Sequence, residues 1–289
     1  MPLTEIIIPP PLQPKDLIGI IAPASHFNKT KFEKGLEVIK NMGFRLYVHE
    51  DIYKKNNYFA GSDMNRLNMI HSMFSNPEIK AIICARGGFG SMKLLPDIDY
   101  NLLRQNPKRF VGFSDITGLL CAFYKFCNMA VFHGPMVSQM YNADDKTLES
   151  LYISLTKNIP DAIYKDNVTI VNSGKAFGPI IGGNLTILCH LLGTPFAPNF
   201  GSHILFIEDR GEAAYRIERM LTHLQLSGCF EKIKGVIIGS FSECGEYNKI
   251  IKLIKNLCSD KTPIVSGIEC GHCIPNFTLP FGINVTVDI

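Results

Sequence analysis

Several things are scarce in this sequence of 289 residues. Charged side chains make up 19% of it, against 46% hydrophobic ones, a balance that excludes an extended polar chain and leaves ample material for one large core or two ordinary ones. The 29 basic and 26 acidic residues leave a net charge of +3, and no basic block stands out. Nothing in the charge pattern therefore calls for a nucleic acid or a membrane surface as partner. No run approaches the roughly 20 apolar residues that span a bilayer. The start, MPLTEIIIPPPLQPKD, has no basic leader, and its three isoleucines run straight into prolines, too short a core for a signal peptide. Tryptophan is absent, which leaves phenylalanine and tyrosine as the only large rings on which a nucleotide base could stack. Repeats at a fixed period are absent too.

Cysteine is not scarce, but its pattern excludes a disulfide framework. There are nine, an odd number, and Cys84 and Cys189 sit inside apolar runs. Reduced, mostly buried thiols and a cytoplasmic location are expected.

Strand-like and helix-like segments alternate from residue 16. Strands are predicted over 16–22 (DLIGIIA), 44–49, 79–85 (IKAIICA) and 109–113, and helices over 29–40, 62–74 and 116–126. The run 79–85 is apolar almost throughout, as in a strand buried on both faces. After a polar crossover near 142–178, short strands over 204–207, 235–238 and 283–287 mix with helices. The clearest of these carries Ile217, Met220, Leu221 and Leu224 on one face and ends at Gly228. This is the pattern of an α/β protein: a doubly wound, Rossmann-like parallel sheet followed by a smaller α/β domain.

Three places could carry chemistry. In RFVGFSDITGLL, residues 109–120, a strand gives way to a helix at Ser114. Ligands of parallel α/β sheets bind at the carboxyl ends of strands, and a helix start offers free N–H groups to an anion. Ser114 could be a nucleophile if a base lies within reach. Equally, Ser114, Asp115 or Thr117 could simply cap the helix. The elbow motif G-x-S-x-G is incomplete, because Ile116 stands at its second glycine.

CARGGFGSMK, residues 84–93, brings Gly87, Gly88 and Gly90 to the same sheet edge. A dinucleotide loop would need glycine where Lys93 stands, whereas an oxyanion-binding turn needs only one or two N–H groups. IECGHCIPNFTLP, residues 268–280, holds one C-x-x-C, with no second pair to complete a zinc site, and Pro275 and Pro280 bracket it as loop. His272 could be an exposed base with a pKa suited to neutral pH. An orienting acid could come from Glu208 or Asp209 at the end of the run ILFIED, and spacing does not choose between them.

Taken together, IGIIAPAS, ARGGFGSMKLL, VGFSDITGLL, FHGPM, GPIIGGNLTIL, LFIEDRGEAAYRIERML and GHCIPNFTLPFG resemble the LD-carboxypeptidase, or muramoyltetrapeptide carboxypeptidase, family over nearly the whole chain. The resemblance implies a cytoplasmic, often dimeric serine peptidase that needs no cofactor or metal and removes terminal D-alanine from murein tetrapeptides during cell-wall recycling. It implies a triad in which Ser114 is the nucleophile, Glu208 the acid and His272 the base. Residues 1–165 would form the Rossmann-like domain with the nucleophile, and 166–289 the domain with acid and base. The backbone N–H groups of Gly88 and Asp115 are the expected oxyanion donors, and Arg86 a possible partner for a substrate carboxylate. Two other readings stand beside this one. A microcin-immunity type of peptidase would act on an aminoacyl-nucleotide, and a non-catalytic module would bind a peptide or nucleotide.

Overall fold

The computed structural model describes residues 5–158 and 168–289. The expected domain boundary between 165 and 166 lies outside the described residues. The strands are β1 (Leu17–Ile21), β2 (Arg45–Val48), β3 (Ile79–Cys84), β4 (Arg109–Gly112), β5 (Val131–His133), β6 (Thr169–Asn172), β7 (Lys175–Asn184), β8 (Ile204–Arg210), β9 (Gly235–Ser242), β10 (Ile264–Ser266), β11 (Leu279–Phe281) and β12 (Asn284–Asp288). The helices are α1 (Lys29–Asn41), α2 (Asp63–Ser75), α3 (Tyr100–Gln105), α4 (Thr117–Cys127), α5 (Val137–Met140), α6 (Asp145–Thr156), α7 (Leu185–Leu191), α8 (Ala214–Leu226) and α9 (Tyr247–Leu257).

They form two six-stranded sheets, in the orders β11-β5-β4-β3-β1-β2 and β12-β7-β8-β9-β10-β6. In the first, β1 to β5 run parallel in the doubly wound order 2-1-3-4-5. Its chain reverses direction across the sheet between β1 and β3, where such folds open a crevice for ligands. In the second, β7 to β10 are parallel, with β12 and β6 antiparallel at the edges. The apolar runs account for this directly. Every residue of β1 is buried, as are all but Lys80 of β3, because helices cover both faces.

Helix starts also follow local chemistry. Asn28 caps α1, and Ser62 with Asn65 forms a reciprocal capping box on α2. Ile217, Leu221 and Leu224 are the buried face of α8, with Met220 half-buried beside them.

Several features differ from the sequence reading: β6 and the start of β7 lie within the stretch expected as a polar crossover, and the strand expected over 235–238 continues to Ser242. The strand expected over 204–207 continues to Arg210, so Glu208 and Asp209 lie within β8 and not beyond it. The segment ending at Pro280, expected as loop throughout, finishes in β11, which pairs antiparallel with β5 of the first sheet. Pro280 is tolerated because β11 is an edge strand with one neighbour. The chain thus returns from the second sheet to the first. Helix α4 packs on α7 and β7 from the other side, where Asn184 N–H donates to Thr117 Oγ1 at 3.0 Å.

Candidate active site

Strand β4 ends at Gly112, Phe113 is extended, and Ser114 turns sharply with φ of +61° into a 3-10 turn that leads to α4. A left-handed conformation costs a residue with a β-carbon about 1–2 kcal/mol. The turn does not exist to cap the helix. Neither the 3-10 turn nor α4 has a side-chain cap. The Asp115 carboxylate is buried and accepts from Ser91 N–H at 2.9 Å, while Thr117 accepts from Asn184. Burial pushes the Asp115 pKa up against these hydrogen bonds. Ser114 is therefore held in a strained strand-to-helix elbow with its hydroxyl free of a capping duty, the backbone geometry of a nucleophile elbow despite Ile116.

The glycine loop after β3 lies directly against this elbow. Arg66, fully buried, donates at 2.7 Å to the carbonyls of Pro23 and Gly90, and also pairs with Asp63. It thereby ties the loop after β1 to the loop after β3. Ser25 N–H donates to Gly87 O at 3.1 Å, and Ser25 Oγ accepts from Phe89 N–H at 3.0 Å. A β-carbon on Gly87 would stand 3.1 Å from Ser114 Cβ and 3.3 Å from both Ser114 Oγ and Asp115 N. Glycine there keeps open the space in front of the hydroxyl.

Glu208 and His272 meet. The His272 Nδ1–H donates to Glu208 Oε2 at 2.7 Å, and the His272 backbone N–H donates to the same oxygen at 3.3 Å. Glu208 Oε1 accepts from Asn184 Nδ2 at 3.3 Å. Glu208 has no solvent exposure and the His272 side chain has 14%. Burial favours a neutral carboxyl, but the His272 charge and hydrogen bond, His133 and Asn184 outweigh it and hold the Glu208 pKa below its ordinary value. Burial likewise pulls the His272 ring down, and the charge and hydrogen bond of Glu208 reverse this, so its pKa is raised.

Asp209, the other acid that spacing allowed, faces elsewhere. It accepts from Thr186 N–H at 2.9 Å, Thr186 Oγ1 at 2.7 Å and Asn184 Nδ2 at 2.9 Å, serving the start of α7. Both acids are buried because β8 is covered on both faces, from Ile204 through Asp209, and strand alternation sends their side chains to opposite sides.

The loop bearing His272 is fixed on both sides. Ser240 N–H donates to Cys270 O at 3.0 Å, Gly271 N–H to Asn276 Oδ1 at 2.9 Å, and Asn276 N–H to Thr147 Oγ1 of α6 at 2.8 Å. Ser242 Oγ also donates to His272 O. Gly271, with φ of +105°, must be glycine: a β-carbon would lie 2.5 Å from Glu208 Oε2.

Ser114, His272, Arg86 and Gly88 line one cavity of about 500 Å³, with Lys31 and Arg210 adding positive charge. Among the described residues no hydrogen bond joins Ser114 Oγ to the His272 ring, which packs edge-on to Phe113 at 4.9 Å between centroids. A second cavity of about 440 Å³ shares Lys31, Arg210 and His272 and extends past Cys273 and Ile274. Arg86 is exposed, and its guanidinium donates to His26 O at 2.7 Å. Neither the Gly88 nor the Asp115 backbone N–H donates to a protein acceptor among the described residues.

The C-x-x-C cysteines diverge: Cys270 Sγ meets His133 Nδ1 at 3.4 Å, and Cys273 Sγ donates to Pro275 O at 3.0 Å. Among the described residues no group of three or more His, Cys, Asp or Glu is arranged to hold a metal ion. Sequence reasoning did not single out Arg66, Asn184 or His133. Each acts through a partner 24 to 75 positions away, for which a single sequence holds no local signal.

A doubly wound sheet with a strained serine at a strand end, beside an imidazole anchored on a buried carboxylate, is the architecture of a hydrolase. Models of the LD-carboxypeptidase N-terminal and C-terminal domains match residues 18–134 and 177–287, and the chain belongs to the LD-carboxypeptidase family of peptidases. It is 33% identical to the probable murein peptide carboxypeptidase of Bacillus subtilis, over 97% of this chain and 91% of that one. To the microcin C7 self-immunity protein MccF of Escherichia coli it is 29% identical, over 96% and 92%. A structure of MccF with aspartyl sulfamoyl adenosine superimposes with a TM-score of 0.88 at 28% identity, covering 99% and 96%. The muramoyltetrapeptide carboxypeptidase of Oxalobacter formigenes superimposes with a TM-score of 0.82 at 30% identity, covering 93% and 94%.

Proposed function

We propose that the protein is a serine LD-carboxypeptidase that removes terminal D-alanine from cytoplasmic murein tetrapeptides. The observation that carries this reading is the buried Glu208–His272 pair opening on the same cavity as the strained Ser114. His272, its Nδ1–H fixed on Glu208, offers Nε2 as the base. It takes the Ser114 proton as Oγ attacks the amide carbonyl, and the separation between them closes as substrate fills the cavity. The oxyanion is met by the backbone N–H groups of Gly88 and Asp115, each worth about 3 kcal/mol. His272 then protonates the leaving D-alanine amine, and water releases the tripeptide from Ser114.

The walls suit this substrate. Lys31 and Arg86 line the cavity of Ser114, with no Asp or Glu among its lining residues, and Arg210 lines it while paired with Glu243 at 2.8 Å. A murein tetrapeptide brings several carboxylates, and Arg86, beside the glycine loop, is the proposed partner of one of them. The nine cysteines are all free, in keeping with a reducing cytoplasm.

The test is release of free D-alanine from murein tetrapeptide by the purified protein, with and without chelator. Turnover indifferent to chelator supports the reading; no release from any tetrapeptide refutes it. The likeness to MccF supports a second reading, hydrolysis of an aminoacyl-nucleotide, for which an aminoacyl sulfamoyl adenosine is the competing substrate in the same assay. The lack of tryptophan as a base-stacking platform weighs against it.

A further inference from the structure

Behind Glu208 lies a second histidine. His133, the last residue of β5, has no solvent exposure and sits among Phe113, Phe206 and Phe281, with ring centroids 5.6, 5.0 and 5.5 Å away. Its Nδ1 meets Cys270 Sγ at 3.4 Å. Its Nε2 has no hydrogen-bond partner and points toward Glu208 Oε1, 4.0 Å away. An orphaned buried ring nitrogen aimed at a buried carboxylate calls for an explanation.

We infer that His133 is a positioning residue for the acid: a neutral imidazole, held as the Nε2–H tautomer, that braces Glu208 from the side opposite His272. A lone pair on Nε2 would be repelled by the carboxylate, so Nε2 carries the proton and Nδ1 accepts the Cys270 S–H. Burial in the aromatic cage keeps the ring neutral, with its pKa pulled down to about 4. The carboxylate then has donors on both oxygens: His272 Nδ1 and backbone N on Oε2, Asn184 Nδ2 and the His133 N–H direction on Oε1. A donor on Oε1 stabilises the carboxylate most when His272 is neutral and leaves its charge uncompensated. His133 therefore lowers the proton affinity of His272 and tempers the upward pull of Glu208. The other ionisable groups facing this pair are Asp209 and Arg210 on β8 and Cys270 and Cys273 on the same loop as His272.

This inference rests on His272 being the base, but its test reads ring protonation and not turnover, so it succeeds or fails separately from any substrate. Nitrogen-15 NMR of the histidine rings at pH 7, assigned with a His133→Gln spectrum, reports the His133 tautomer in the unaltered protein. Nε2–H is expected; an Nδ1–H or cationic ring overturns the inference. The His272 ring is then titrated in the wild type, in His133→Phe, which keeps the aromatic packing, and in His133→Gln, which keeps an N–H near the Nε2 position. Losing one donor is expected to raise the His272 pKa by about 0.5 in the Phe variant. The Gln variant should stay nearer the wild type. A Phe variant that folds and leaves the titration unmoved, or a Gln variant that moves it as far, refutes the role.

Discussion

Replacing Glu208 by glutamine is the most informative single change. All four groups around its carboxylate are donors or donor directions: two N–H groups of His272, the Asn184 amide and the His133 ring. A carboxylate accepts on both oxygens, whereas glutamine must turn its NH₂ toward one of these donors. The amide N–H facing His272 Nδ1 would then favour the wrong tautomer and leave Nε2 protonated. Loss of the correct tautomer in a triad lowers turnover by about four orders of magnitude, equivalent to about 5.5 kcal/mol. The pH profile gives the second reading. With Glu208 present the ring's pKa lies above its ordinary 6.5, so kcat/KM should rise with pH through a value above 6.5 as the neutral base forms. Without the carboxylate, burial and Arg210 pull the ring down against the smaller upward pull of Asp209, and the midpoint should fall. Initial rates of D-alanine release from pH 5 to 9 measure both. A Glu208→Gln enzyme within tenfold of the wild type, or one whose acid limb stays in place, refutes the assignment.

Other expectations follow from the same contacts. The Glu208 share of the pair's stabilisation is present above 4.5 and lost as pH falls through its lowered folded value. The His272 share is present below 6.5 and lost as pH rises through its raised one. Urea unfolding should therefore show Glu208→Gln most destabilised between about pH 4.5 and 6.5. Ser114→Gly should be inactive yet more stable than Ser114→Ala by about 1 kcal/mol, because glycine relieves the left-handed turn; equal stabilities in urea would contradict the strain. Gly87→Ala should still unfold cooperatively but lose at least tenfold in kcat/KM, since its methyl would crowd Ser114 and Asp115 N and shift the elbow. Arg66→Met should lower stability by about 3 kcal/mol by freeing the Pro23 and Gly90 carbonyls, measured by urea titration.

Much of this arrangement was legible in the order of residues, for physical reasons. The parallel sheet announces itself because β1 and β3 are buried on both faces and so cannot alternate. Ser114 stands out because an apolar strand ends there and a helix begins, which fixes it to the ligand-binding edge whatever its role. What separates a cap from an elbow is a backbone angle, and that angle depends on contacts with Gly87 and Ser91. The choice between Glu208 and Asp209 was not legible, because β8 is buried on both faces and the sequence does not say which face meets the His272 loop. Nor was the return of β11 to the first sheet, where Leu279, Pro280 and Phe281 give too short and proline-marked a run to read as a strand. His133 lay hidden for a similar reason. Its importance comes from a carboxylate 75 positions on.

If Ser114 is the nucleophile it becomes acylated in turnover, and mass spectrometry can catch that acyl group on the protein. The protein is mixed with an ester analogue of the tetrapeptide, quenched in acid within milliseconds, and digested to locate any added mass. The tripeptidyl mass is expected on Ser114 and absent from Ser114→Ala. Turnover that continues with no adduct, and survives in Ser114→Ala, would contradict it.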